Sequence, residues 1–162
     1  MTFAQSKGHN ALVTGATGYI GSNLVKRLIA DGWNVHIITR PCSSLNCLAK
    51  LSDKLTLHEH DGTTNDMVEI MAKAAPNTVF HLASFFLSEH SPRDVENLIT
   101  TNMLFSTQLI QAMVENGISR LVNTGTSGQY YNGDTYNPVN LYTATKQAFE
   151  KLLEFYLTTS NL

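Results

Sequence analysis

Ala11-Leu12-Val13-Thr14-Gly15-Ala16-Thr17-Gly18-Tyr19-Ile20-Gly21 is the stretch on which the fold turns. Its first four residues are apolar or β-branched and read as a short strand. Glycines then recur at every third position, Gly15, Gly18 and Gly21. From Ile20 onward apolar residues fall at Leu24, Val25, Leu28 and Ile29, the spacing of one helix face. A strand that turns on glycine into a helix presents unpaired N–H groups at the helix start, where the dipole also favours an anion. Glycine suits such a turn where φ is positive and where backbone must approach a pyrophosphate. The spacing here is Gly-x-x-Gly-x-x-Gly rather than Gly-x-Gly-x-x-Gly, so the flanking strand and helix carry the reading. The loop is the expected seat of a dinucleotide.

Working outward, Gly32 ends the first helix. Asn34–Thr39 reads as a second strand, Pro41–Asn46 as a polar loop, and Leu55–His60 as a third strand ending at Asp61-Gly62. A helix is expected over Asn65–Ala75, stopped by Pro76, and a strongly apolar fourth strand over Thr78–Ala83. One long helix should run from about Pro92 to Gly117, then a fifth strand over Arg120–Thr124 and a last helix over Leu141–Leu157. Strands alternating with helices, crossing over in the right-handed sense, imply an α/β fold: a Rossmann doubly wound parallel sheet with helices on both faces. The 162 residues suit one domain, residues 1–162. No sixth strand and no second, substrate-binding domain is expected in this stretch.

Net charge is -2 with no basic run, which argues against a nucleic-acid or anionic-membrane partner. No apolar run approaches bilayer length, and Met1–Asn10 is polar, so a cytoplasmic protein is expected. Cys42 and Cys47 read as reduced loop thiols. In His58-Glu59-His60-Asp61, strand alternation puts both histidines on one side and Asp61 off it, so no metal site is expected.

The end of the second strand selects between nicotinamide cofactors: a carboxylate accepts the ribose 2′-hydroxyl, an arginine welcomes a 2′-phosphate. Here Thr39-Arg40-Pro41 is followed by Ser43 and Ser44, with no carboxylate. NADP is favoured over NAD, the alternative being that Arg40 is an ordinary surface arginine. Further on, Tyr142 and Lys146 stand four apart on one helix, hence on one face. A free tyrosine titrates at about 10, and a nearby ammonium favours its phenolate.

Several motifs follow the glycine loop in order: Asp61-Gly62, His81-Leu82-Ala83-Ser84, Asn102, Thr124-Gly125-Thr126-Ser127 and Tyr142-Thr143-Ala144-Thr145-Lys146. The order resembles the cofactor half of the extended short-chain dehydrogenase/reductase family, the NAD(P)-dependent nucleotide-sugar epimerases, dehydratases and 4-keto reductases. The resemblance implies that Gly15, Gly18 and Gly21 cradle the pyrophosphate, with Tyr19 and Ile20 donating backbone N–H groups. It places Thr17, Thr39, Arg40, Ser43, Gly62 and Thr124 beside the cofactor, Asp61 on the adenine amino group, and the Leu82-Ala83-Ser84 backbone along it. Tyr142 would be the catalytic acid/base, Lys146 its partner, and both would also touch the cofactor. Thr126, four residues before Tyr130, would stand at the family's Ser/Thr position, with Ser127 as the other choice. A homodimer through the helices bearing Asn102 and Tyr142 is implied. Asn102 itself reads as a structural hydrogen-bonding residue. Leu98, Ile99, Leu109, Phe149, Leu152, Leu153 and Phe155 read mostly as core. Phe85, Phe86, Glu89 and His90 read as either a substrate contact or a mobile loop. A non-catalytic NAD(P)-binding module is the second reading.

Overall fold

The computed structural model describes residues 8–41, 43–160 and 162. Five parallel strands form one sheet in the order β3-β2-β1-β4-β5. They are β1 (Asn10–Thr14), β2 (Asn34–Thr39), β3 (Leu55–Glu59), β4 (Thr78–His81) and β5 (Leu121–Asn123). The helices are α1 (Tyr19–Ala30), α2 (Thr64–Ala74), α3 (Val95–Ile99), α4 (Phe105–Glu115) and α5 (Leu141–Thr159). Along β1 side chains alternate between faces, and the two faces carry different cores. Ala11 and Val13 meet Val25 and Leu28 of α1 together with Val35 and Ile37 of β2. Leu12 meets Met67, Ile70 and Met71 of α2, Leu109, Ile110 and Met113 of α4, and Phe149 of α5. This is the doubly wound arrangement, with β1 buried from Ala11 onward because helices cover both sides.

Several element ends differ from those expected. β4 stops at His81 rather than Ala83, because the Ala83 N–H turns to the Thr14 hydroxyl instead of a strand carbonyl. β3 stops at Glu59, one residue before His60, and β5 is Leu121–Asn123. α2 starts one residue early on a Thr63 cap that accepts the Asp66 N–H, and its C-cap Ala75 sits at φ 39 just before Pro76. α5 starts at Leu141 on a reciprocal Asn140–Thr143 cap and runs to Thr159. Gly32 and Gly117 take the positive φ that ends α1 and α4.

Two features were not foreseen. A 3-10 helix spans Asn46–Lys54 and buries Leu48. The long helix expected after Pro92 is interrupted: Pro92–Asp94 is a 3-10 turn, and a π turn at Thr100–Leu104 separates α3 from α4. Within that turn Asn102 is buried. The core assignment also needs correcting. Ile99 and Phe155 are 40% and 58% exposed, on outward faces of α3 and α5, whereas Leu98, Leu109 and Phe149 are buried. Cys42 lies outside the described residues, and Cys47 is an exposed free thiol. No helix among the described residues is long and apolar enough to cross a membrane.

Candidate dinucleotide site

The glycine turn leaves β1 in the centre of the sheet, and its three glycines serve different ends. Gly15 has φ +69, and a Cβ there would stand 2.6 Å from the Ala83 nitrogen and the Leu82 carbonyl carbon. A Cβ on Gly21 would stand 2.1 Å from the Gly15 oxygen, so α1 can lie against the turn only with glycine at that position. Gly18 is different: its φ is -76, and a Cβ would meet only the Gly15 oxygen, at 3.4 Å. The protein's own packing leaves room there. Gly18 is also the N-cap of α1, with no side-chain cap and no acidic residue in the first turn. The opening of α1 therefore leaves a backbone cradle that a side chain would fill, and its shape and dipole fit the pyrophosphate of a dinucleotide.

A groove of about 480 Å³ opens from this turn across the carboxyl ends of β1 to β4. The structure brings together Gly15, Thr17, Gly18, Thr39, Arg40, Ser43, Asp61, Gly62, Leu82, Ala83 and Ser84 along its wall. The N–H of Thr63 donates to the Asp61 carboxylate at 2.7 Å, and the Thr63 contacts hold that carboxyl below its usual range, leaving an exposed anion. Sequence reading missed the opposite wall. Thr101, Leu104, Phe105 and Gln108 line it from the π turn and the start of α4, and Gln108 Nε2 donates to the Gly62 carbonyl at 2.9 Å. Their helical spacing was a usable signal, masked by reading the segment as core alone.

Tyr19, Ile20, Gly21, Thr124, Thr126, Tyr142 and Lys146 do not line the groove. Tyr19 and Ile20 point outward at 87% and 66% exposure, so any contact there is through backbone N–H groups. The Thr124 hydroxyl donates to the His81 carbonyl. Tyr142 is half-buried, and its ring meets Phe86 edge-on with centroids 4.9 Å apart. Phe86 follows Phe85, which lines the groove and whose backbone is bonded twice by Asn102. The segment after β4 is therefore tethered at Phe85, and Asn102 is structural as expected. Asn102 Nδ2 also lies 3.1 Å from Thr145 Oγ1 on α5.

Lys146 is buried, 4% exposed, and makes no hydrogen bond or ion pair among the described residues. Burial pushes its pKa down, and Glu150 one turn on acts in the opposite direction. Behind it His81 is fully buried between Thr14 Oγ1 and Ser106 Oγ, 2.8 Å on each side. Burial, with the Lys146 charge, drives the His81 pKa down to about 3. Thr126 opens a 3-10 turn over Ser127–Gln129, and its N–H donates to Gln129 Oε1 at 2.7 Å. Gly128 in that turn abuts α5: a Cβ on it would stand 2.9 Å from Thr143 Cγ2. The Thr126 segment thus packs on the first turn of the helix that carries Tyr142.

The expectation for Asp61 is corrected. Because β3 ends at Glu59, strand alternation no longer governs His60 and Asp61, and the Asp61 carboxylate lies near His60 rather than on the far side. Ligand atoms of His60, Asp61 and Asp66 lie within 4.8 Å of one another. Asp66 Oδ2 is already engaged by His60 Nδ1 at 2.8 Å and by the Asp61 N–H at 3.1 Å. His58 is not part of this group; it pairs with His36 at 2.9 Å.

A doubly wound sheet whose glycine turn opens an uncapped helix onto such a groove has the architecture of dinucleotide-binding folds. More narrowly, the chain belongs to the NAD dependent epimerase/dehydratase family, whose profile matches residues 11–162. It is 32% identical over 158 residues to UDP-glucose 4-epimerase of Mycolicibacterium smegmatis, covering 90% of this chain and 50% of that protein. The UDP-glucose 4-epimerase of Thermotoga maritima, solved with UDP-glucose, superposes with a TM-score of 0.83 at 26% identity, over 94% of this chain and 52% of that one. MoeE5, solved with UDP-glucose and NAD, gives 0.71 at 30% identity, over 88% and 47%. The chain spans about half the length of the curated relatives it matches.

Proposed function

We propose that this chain is the cofactor-binding part of an NAD(P)-dependent enzyme acting on a nucleotide-sugar, with Tyr142, Lys146 and Thr126 as its reacting group. The observation that carries the reading is the glycine turn: Gly18 leaves a space the protein does not fill, at an uncapped helix start. Tyr142 would take or give the proton of the reacting sugar hydroxyl. The buried ammonium of Lys146 would favour the Tyr142 phenolate. Thr126 would hydrogen-bond the same substrate oxygen. A bound nicotinamide supplies hydride acceptance or return.

Within that reading, NADP is preferred over NAD. Thr39, Arg40 and Ser43 line the groove beyond β2, and no carboxylate stands among them. The protein works as a homodimer: Val95 and Ile99 of α3 and Phe155 and Leu157 of α5 leave apolar surface exposed on the helices named for the contact. It resides in the cytoplasm, where an exposed thiol such as Cys47 stays reduced.

Calorimetric titration with NADP and with NAD tests the proposal. Binding with NADP tighter supports it, and tighter NAD overturns the Arg40 assignment alone. Binding of neither overturns the cofactor site in this chain.

A further inference from the structure

Residues 142, 146 and 150 follow one another at single-turn intervals on α5. The first two have roles in the reading above; Glu150 has none. The Tyr130 hydroxyl donates to the Glu150 carboxylate. Glu150 Oε1 also lies 3.5 Å from where a Cβ on Gly125 would stand. Glu150 therefore lies beside the chain on both sides of Thr126, near Gly125 just before it and bonded to Tyr130 four residues after it.

Lys146 needs such a neighbour, because its ammonium is buried and unpaired among the described residues. The elements packed on α5 offer little else. His81 on β4 is uncharged above about pH 3, and the π turn carries no ionisable side chain. Glu150 stands one turn from Lys146 on the same helix and favours its charged form.

Resting on the roles given above to Lys146 and Thr126, we infer that Glu150 is a positioning residue: it sets the compensating negative charge one turn from the Lys146 ammonium and, through Tyr130, ties the Thr126 segment to α5. The pairing of one carboxylate with two duties makes the charge and the loop interdependent.

The test is an NMR titration of the Lys146 ammonium in this 162-residue chain labelled with 15N-lysine, the signal being assigned with Lys146→Met. In Glu150→Gln, Lys146 should lose its proton at lower pH than in the wild type. Glu150→Asp, which keeps the charge, should restore the wild-type curve in part. Coincident curves for the wild type and Glu150→Gln would overturn the inference and leave Glu150 as a mechanical tether. Should Glu150→Gln not fold, Glu150→Asp decides the matter: drawing the charge back by one methylene should move the Lys146 curve part of the way to lower pH, and a curve coincident with the wild type would overturn the inference. The readout needs no cofactor and no turnover. A failure to bind NADP or NAD would defeat the functional reading while leaving this measurement intact.

Discussion

The side-chain amide of Asn102 grips the backbone of Phe85 at both ends: Oδ1 accepts the Phe85 N–H at 2.8 Å and Nδ2 donates to the Phe85 carbonyl at 3.0 Å. One side chain thereby does the work of a strand partner for a segment that has left the sheet. The π turn makes this possible by seating Asn102 in the interior. Replacing Asn102 by Ala should strand two part-buried backbone groups and destabilise the fold by about 1–3 kcal/mol. Chemical denaturation measures the loss, and hydrogen exchange should show the Phe85 amide as the site of greatest new lability.

The glycines of the turn should separate folding from binding. Gly21→Ala places a methyl group 2.1 Å from the Gly15 oxygen and should lower stability by about 1–3 kcal/mol or more, whatever ligand is present. Gly18→Ala meets the protein only at 3.4 Å and should melt close to the wild type. Its dinucleotide affinity should nonetheless fall at least about tenfold, ~1.4 kcal/mol, by calorimetry.

Arg40→Asp should reverse the cofactor preference. The new carboxylate would accept a ribose hydroxyl and repel a 2′-phosphate. The NADP to NAD affinity ratio should drop by about tenfold or more, with stability unchanged because Arg40 is exposed. An unchanged ratio would return Arg40 to the status of an ordinary surface residue.

Tyr142→Phe removes one hydroxyl from a half-buried ring held against Phe86. Turnover in the active protein should fall about 10²- to 10⁴-fold, while dinucleotide affinity stays near the wild type. Full turnover in this variant would exclude Tyr142 as the acid/base.

His81 makes stability depend on acidity. In the folded chain it titrates at about 3, against 6.5 for the free side chain. Between those values the unfolded chain binds a proton that the folded chain refuses, so stability rises with pH across that window and is lost as acid is added. Going from pH 6.5 to 5 should remove about 2 kcal/mol on this account. His36 and His58, also held below their ordinary value by burial, push in the same direction. Urea unfolding at the two pH values, repeated on His81→Gln, isolates the buried imidazole's share.

Sequence periodicity foresaw the five strands and the doubly wound class because each strand is a short apolar run and each connecting helix shows one apolar stripe. It missed the π turn because the insertion of Asn102 alters hydrogen bonding without altering the apolar spacing around Leu98 and Leu109. The 3-10 helix at Asn46–Lys54 was equally hidden, since only Leu48 is buried along its nine residues. In the site, the glycines and Asp61 were legible as local motifs. Gln108 on Gly62 and Glu150 under Tyr130 join residues 46 and 20 positions apart, and no local pattern announces such pairs.

The unequal duties of the three glycines also bear on how such genes age. Gly15 and Gly21 answer to steric closure within the chain, so selection for mere foldedness keeps them. In the proposed function Gly18 answers to a guest. A descendant copy relieved of its dinucleotide would still look like a member of the lineage at the first and third positions, and would first betray its retirement by acquiring a side chain at the second.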